Sequence, residues 1–208
     1  EEEVNSVNFA QLLEMVAAIS PELRIRFSTS HPKDITDEVL YTIAKHDNIC
    51  NYIHLPVQSG STRILHEMNR QHTREEYMDL VDRIYKIIPE ISLSQDMITG
   101  FPTETEEDHQ DTLSLMEHIK YDFGYMFAYS ERPGTMAARK MEDDVPEPVK
   151  KRRLQEIVDL QQRIAMERTK RFVGDTVEVL IEKTSKRSDE HWSGRNSQNT
   201  TVVFPKEN

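Results

Sequence analysis

The apolar and polar positions alternate between a helical and a two-residue period along most of the chain. Residues 5–19 place Phe9, Leu12, Leu13, Val16 and Ala17 at helical spacing behind the candidate caps Asn5, Ser6 and Asn8, which predicts an amphipathic helix. After Pro21, Arg24-Ile25-Arg26-Phe27-Ser28 alternates as a half-buried strand ending in the polar corner Thr29-Ser30-His31-Pro32. A second helix, over about 36–46, turns Val39, Leu40, Ile43 and Ala44 inward. The run from Tyr52 to Ser61 reads as a strand that breaks at a small polar corner. Thr73-Arg74-Glu75-Glu76 then reads as a capping box ahead of a helix striped by Tyr77, Leu80, Val81, Ile84 and Ile88.

The stretch from Ile91 to Asp108 passes from an apolar run through a Gly-Phe-Pro corner into an acidic segment that opens a helix reaching about Ile119, with Leu113 and Met116 inward. Tyr125–Tyr129 is a fourth strand, closed by Ser130 to Thr135. Four strands alternate with helices and no hairpin signal intervenes, so the expected fold is α/β with a parallel sheet. Each strand ends in a corner rich in Ser, Thr, Gly or Pro, as on the functional face of a barrel. Four βα units do not close a barrel and leave bare edges. Either partner chains cover them or residues before Glu1 do.

A charged, Pro-bearing linker, Glu142 to Pro148, leads into a helix over about 149–171 with Leu154, Ile157, Val158, Ile164 and Ala165 on one side. Lys150, Lys151, Arg152, Arg153, Arg163 and Arg168 are expected elsewhere on it. Beyond Gly174, strands over 176–182 and 199–204 flank a polar loop over 186–197. Two strands are marginal alone, so this piece reads as part of a small β-barrel. The expected division is residues 1–146, a linking helix over 147–171, and a β unit over 172–208.

Charge sharpens this picture. Of the net −11, residues 1–149 carry 13 Lys/Arg against 28 Asp/Glu, whereas residues 150–208 carry 13 against 9. An acidic body with a basic C-terminal arm places nucleic-acid contact at that end, or else the arm is a solvated basic helix face. Glu104, Glu106, Glu107 and Asp108 crowd the first turn after the Gly-Phe-Pro corner, where they favour the helix dipole and would repel a phosphate. A neutral adenine face or a positively charged ligand suits that corner better. A single cysteine, Cys50, excludes an internal disulfide and a cysteine-held cluster or zinc site built from this chain alone. The eight histidines show no metal spacing. No apolar run has the length of a bilayer span, and a cytoplasmic monomer without a membrane partner is expected.

Certain residues carry more than pattern. His54-Leu55-Pro56-Val57-Gln58-Ser59-Gly60-Ser61, then Met68-Asn69-Arg70 and Thr73-Arg74-Glu75-Glu76-Tyr77, resemble the radical S-adenosylmethionine methylthiotransferases. So do the run from Asp96 to Thr105 and the run from Tyr129 to Thr135. The resemblance spans essentially the whole chain, and its Leu-Pro-Val-Gln-Ser-Gly-Ser form is most like members that act on isopentenyl-adenosine beside the tRNA anticodon. It implies a partly open barrel of six βα units, of which this chain supplies the last four strands. It also implies that Phe172 begins a TRAM domain, a small RNA-binding β-barrel. Neighbouring members act on threonylcarbamoyl-adenosine in tRNA or on a ribosomal protein.

The implied cofactors are S-adenosylmethionine and two 4Fe-4S clusters, and the implied partners are the tRNA anticodon stem-loop and an electron donor. The three-cysteine motif of the family is missing, Cys50 matches no cluster ligand, and the chain alone is expected to be inactive. A non-catalytic RNA-binding fragment is the reading from another class. A metal-free barrel aldolase would need a Schiff-base lysine at a strand end, and no strand end offers one. Thr103 stands where many members have glycine.

On this resemblance Gln58 and Ser59 hydrogen-bond the ribose or methionyl end of the cofactor, Ile98 and Gly100 form the adenine wall, and Tyr129 and Ser130 line the next strand end. By pattern alone Ile98 is a core residue. Asp96 either orients the loop backbone or touches ligand, and Arg132 either pairs with a carboxylate or reaches RNA. For RNA the candidates are Arg187, Trp192, Arg195 and Asn199, where Trp192 either stacks on a base or packs the small barrel.

Overall fold

A computed structural model describes residues 6–28 and 31–206. The first helix, α1 (Phe9–Ala17), starts at Asn8, whose side chain accepts from the Gln11 amide while Gln11 answers to the Asn8 amide. Asn5, the alternative cap, and the corner residues Thr29 and Ser30 lie outside the described residues. α1 buries Ala10, Leu13 and Ala17, but the expected core residues Phe9 and Leu12 are 36% and 49% exposed. Phe9 instead edges onto Phe27, ring centroids 5.5 Å apart. α2 (Asp37–Lys45) is capped by Thr36 and buries Val39, Leu40, Thr42 and Ile43, leaving Ala44 outside.

The strand expected over 24–28 contracts to one parallel bridge, Ile25 with Ile49. Its flanking arginines explain this: Arg24 pairs with Glu178 and Arg26 with Glu182, so the segment serves a neighbour from the C-terminal unit. The sheet proper is β1 (Tyr52–His54), β2 (Ser92–Thr99) and β3 (Phe123–Ala128), parallel and in that order. Two helices separate β1 from β2. α3 (Thr62–Glu67), not foreseen, is capped by Ser61, and α4 (Arg74–Ile87) has the reciprocal Thr73–Glu76 box that its sequence announces. α5 (Glu106–Ile119) follows β2, and a short α6 (Met136–Lys140) follows β3.

Side chains alternate across this sheet as the pleat requires. Ile53, Leu93 and Met97 point into the helical layer with Leu40, Ile43, Tyr77, Ile84, Leu115 and Ile157. The other face carries Tyr52, His54, Ser94, Asp96, Ile98, Phe123, Tyr125 and Phe127, set side by side by the register Ser94↔Phe123, Asp96↔Tyr125 and Ile98↔Phe127. It is the polar and aromatic side, with Tyr125 and Phe127 both more than half exposed.

α7 (Glu147–Thr169) starts with Pro148 in its first turn and packs on β3 and α5. Its buried stripe is Lys150, Arg153, Ile157, Leu160, Gln161 and Ile164. Two basic residues expected off the apolar side are thus among its most buried, at 1% and 4% exposed. The C-terminal unit has three strands where two were expected: β4 (Leu180–Thr184), β5 (His191–Arg195) and β6 (Thr201–Pro205), an antiparallel meander. The supposed polar loop contains β5, whose Ser193 and Gly194 are the buried positions. Trp192 and Arg195 therefore sit on a strand.

Candidate functional site

The C-terminal ends of β1 to β3 converge on one rim. Gln58 bridges to β2 beyond the end of β1: its amide donates to the Asp96 carbonyl and its carbonyl accepts from the Ile98 amide, both at 2.9 Å. It does so at φ 77°, the left-handed region a side chain seldom adopts, a strain that the two-sided pairing sustains. Tyr129 extends β3 by donating its amide to the Thr99 carbonyl at 2.8 Å. Gln58, Asp96, Ile98, Gly100 and Tyr129 are thereby brought together, with Gln58, Asp96, Ile98 and Tyr129 partly exposed, Gly100 buried and Ser130 exposed. Ser59 is buried, and its hydroxyl accepts from the Ser61 amide within the turn. Next to it Gly60 meets α5 so closely that a Cβ would lie 2.5 Å from the Thr112 Cα.

Gly100 is fixed twice over. Its φ of 71° favours glycine, and a Cβ there would lie 2.4 Å from the Cγ of Lys150. The Lys150 stem crosses the corner, and its ammonium meets Asp143 and lies 5.4 Å from the centre of the Tyr129 ring. Tyr129 in turn packs edge-on against Phe101 at 5.2 Å. Behind Gly100, Glu104 accepts the Gly100 amide and an Arg153 guanidinium N–H, each at 2.9 Å. Burial pushes the Glu104 carboxyl up, against the pull of those donors.

Glu106 and Asp108 of this corner are also engaged. A hydrogen bond from Arg152 brings Glu106 down to about 2. Burial opposes ionisation of Asp108, yet hydrogen bonds from Arg63, Ser61 and Thr105 hold it well below the usual carboxylate range. The phosphate repulsion read from these acids is therefore largely cancelled by arginines from α3 and α7. Lys150 and Arg153 were missed as parts of this corner. Their signal was present, because they continue the Ile157, Leu160 and Ile164 stripe backwards at helical spacing.

Below the rim, the Ser94 hydroxyl lies 2.7 Å from that of Tyr52 and 2.8 Å from His54 Nδ1, and His54 Nε2 lies 3.5 Å from Asp96. Tyr52 stacks on Phe123 at 5.4 Å.

Of the RNA candidates, Arg187 is exposed in the β4–β5 turn. The Trp192 ring carries the Lys206 ammonium 4.2 Å from its centre. Arg195 and Asn199 bond to each other at 3.0 Å, and the Arg195 carbonyl accepts from Arg24 beside the sheet. The cationic helix is mostly paired as well, with Arg152, Arg153, Arg163 and Arg168 each meeting a carboxylate.

The family model described as the radical SAM superfamily matches residues 4–116. The chain belongs to the radical SAM superfamily. The TRAM domain model matches residues 170–208, the β unit at the end of α7. Among curated proteins, the chain is 66% identical over 207 residues to the tRNA-2-methylthio-N(6)-dimethylallyladenosine synthase of Christiangramia forsetii, covering 100% of this chain and 43% of that protein. It is likewise 66% identical to the synthase of the same name from Flavobacterium psychrophilum, over 99% of this chain and 43% of that protein. At 53% identity it matches the one from Phocaeicola vulgatus, over 100% of this chain and 46% of that protein.

The chain thus spans less than half the length of these relatives. Among solved structures, a radical SAM enzyme of Escherichia coli, coproporphyrinogen III oxidase, aligns with a TM-score of 0.58 at 19% identity. That alignment covers 90% of this chain and 50% of that one and bears on the fold alone. Among the described residues no helix is long and apolar enough to cross a membrane.

Proposed function

We propose that this chain is the rim-bearing and RNA-contacting portion of a tRNA methylthiotransferase acting at C2 of N6-isopentenyladenosine beside the anticodon. One observation carries the reading: the residues of the resemblance motifs, Gln58, Asp96, Ile98, Gly100 and Tyr129, meet at a single strand-end rim in a chain 66% identical to synthases of that name. S-adenosylmethionine, when bound, supplies the one-electron chemistry for which the superfamily is named. Its mix of polar and apolar groups suits the rim. Gln58 and Ser130 offer hydrogen bonds to a ribose or methionyl group, with Ser59 shaping the turn behind them. Ile98 provides an apolar wall for adenine, bordered by Tyr129, while Gly100, buried under the Lys150 stem, shapes the corner behind it.

The clusters fare differently. Among the described residues no group of His, Cys, Asp or Glu is arranged to hold a metal, and Cys50 is buried beside Arg26. The cluster ligands of the working enzyme belong to the part of the protein outside this span, and the span alone is inactive. The chain's own residues orient the cofactor, keep water from the corner and hold the RNA, with Arg187 and Trp192 as outward contacts and Arg195 and Asn199 reached once the β unit moves from the sheet. The protein works as a monomer in the cytoplasm with an external electron donor.

The test is anaerobic reconstitution of the whole protein with iron and sulfide, incubation with S-adenosylmethionine and tRNA, and mass spectrometry of the nucleosides. A methylthio group on prenylated adenosine is expected. Its appearance on threonylcarbamoyl-adenosine or on a ribosomal protein would displace the substrate assignment. Gln58→Gly, which keeps the left-handed turn and removes the amide, should weaken S-adenosylmethionine binding by about tenfold, the worth of one lost hydrogen bond to a charged or polar ligand. An unchanged dissociation constant would remove Gln58 from the site.

A further inference from the structure

Beside the rim lies a second group of polar side chains that the reading above does not use. The turn after α3 and the short 3-10 turn at Pro32–Asp34 face each other across an open recess of about 280 Å3 lined by His31, Lys33, Asp34, Asn69, Arg70 and Gln71. Arg70 anchors it. One guanidinium nitrogen donates to the Pro56 carbonyl at 3.1 Å, two residues before Gln58, while its Nε is buried with no partner among the described residues. Lys33 reaches Gln71 at 3.1 Å. His31 lines the recess and stands edge to face at 5.3 Å on His72, which lies behind it, 7% exposed, with neither ring nitrogen bonded among the described residues.

Among the described residues Asp34 is the one carboxylate lining this concavity, against the two cations Lys33 and Arg70 and the unpaired Arg70 Nε, whereas Arg152 and Arg163 on α7 each meet a carboxylate. A buried donor left unsatisfied is destabilising, and an oxyanion placed here would supply an acceptor. We propose that Lys33, Arg70, His31 and His72 form a phosphate-binding site. Resting on the tRNA reading above, its ligand is a backbone phosphodiester of the RNA, held next to the rim at the mouth of the cofactor corner.

The two imidazoles give the site a pH signature. Burial, then the charges of Arg70 and His31, lowers His72 to about 4, and burial with Arg70 lowers His31. Among the described residues Glu76 raises His72 and Asp34 raises His31. An added anion reverses that balance, so binding draws in a proton and tightens as pH falls.

The test uses the whole protein. Anisotropy of a labelled anticodon stem-loop RNA, measured across a salt series, should show Lys33→Gln and Arg70→Gln weakening binding about fivefold or more and each lowering the salt slope by about one. Lys33 is exposed, so its replacement leaves the fold alone. Wild-type affinity should fall as pH rises from about 4 towards 6.5, between the lowered and the ordinary His72 values, and His72→Phe should flatten that dependence. Inorganic phosphate without RNA should shift the His31 and His72 imidazole resonances in the wild type and fail to do so in the Lys33→Gln/Arg70→Gln protein.

Phosphate shifting the imidazoles while RNA binds without displacing it would uphold the site and overturn the backbone source. The same shifts in a protein that binds no RNA would uphold the site while the tRNA reading fails. Imidazoles blind to phosphate, or responding equally in the double variant, would overturn the proposal.

Discussion

At the scale of single residues, backbone conformation shows where side-chain identity matters. Thr103 sits at φ 70°, the reason a glycine suits that position, and is held there by Asp144 on its amide and by Arg63 on its carbonyl and hydroxyl. A β-branched residue in that region costs on the order of 1–3 kcal/mol, partly offset by the Arg63 bond. Thr103→Gly should therefore raise the unfolding free energy by about 1 kcal/mol, read from urea denaturation; a loss of stability would mean that the hydroxyl contact outweighs the strain.

His72 makes the opposite kind of prediction. Its folded value, lowered to about 4, lies below the ordinary 6.5, so the unfolded chain takes the proton first. The contribution of the neutral ring is complete above pH 6.5 and is lost as pH falls towards 4. Without phosphate, the wild-type urea midpoint should drop across that window more steeply than that of His72→Phe. Parallel curves would refute it. Sequence made the corner residues Gln58 and Gly100 legible through their motifs, but neither the φ of Gln58 nor the pairing of His31 with His72, which depends on two distant turns meeting.

At the scale of elements, periodicity located α1, α2, α4 and α5 because each has one buried stripe and a capping residue, whereas the short α6 buries nothing. Periodicity misplaced Lys150 and Arg153, since charge alone argues for the surface and only the acid opposite reveals their burial. The Glu104–Arg153 pair is nearly sealed from solvent, with side chains 2% and 5% exposed. Arg153→Met would strand a buried carboxylate and should cost about 3–5 kcal/mol. Pairing it with Glu104→Gln should recover part of that loss in a double-mutant cycle. Additive losses would show that the two residues act independently. β5 was illegible for another reason: His191-Trp192-Ser193-Gly194-Arg195 has no apolar alternation, and its inward positions are the small Ser193 and Gly194. A Cβ on Gly194 would come within 2.3 Å of the Leu180 carbonyl oxygen, so smallness and close strand approach, rather than hydrophobicity, define that strand.

For the whole molecule, the fold class follows from alternation of strand and helix, but the seating of the β unit does not. It rests against the start of the sheet through polar contacts: Arg24 with Glu178, Arg26 with Glu182, and the Asn51 amide with the Ser197 hydroxyl at 3.0 Å. Exposed ion pairs are worth about 0–1 kcal/mol each and are screened by salt. Charge reversal at Glu178 and Glu182 to lysine, or a rise to about 1 M salt, should release the unit and increase the radius of gyration in small-angle scattering. No change in either case would place the holding force elsewhere.

The 23-residue α7 touches the Gly100 corner at its first turn and delivers the β unit at its last. A helix advances about 1.5 Å and turns about 100° per residue. One inserted residue would swing the trailing domain to another azimuth, away from Glu178, Glu182 and Ser197's partners, whereas a change near a full turn would restore its heading. The spacing between corner and RNA-contacting unit is accordingly quantised, and tolerated length variants of this connector should come in steps of about three or four residues.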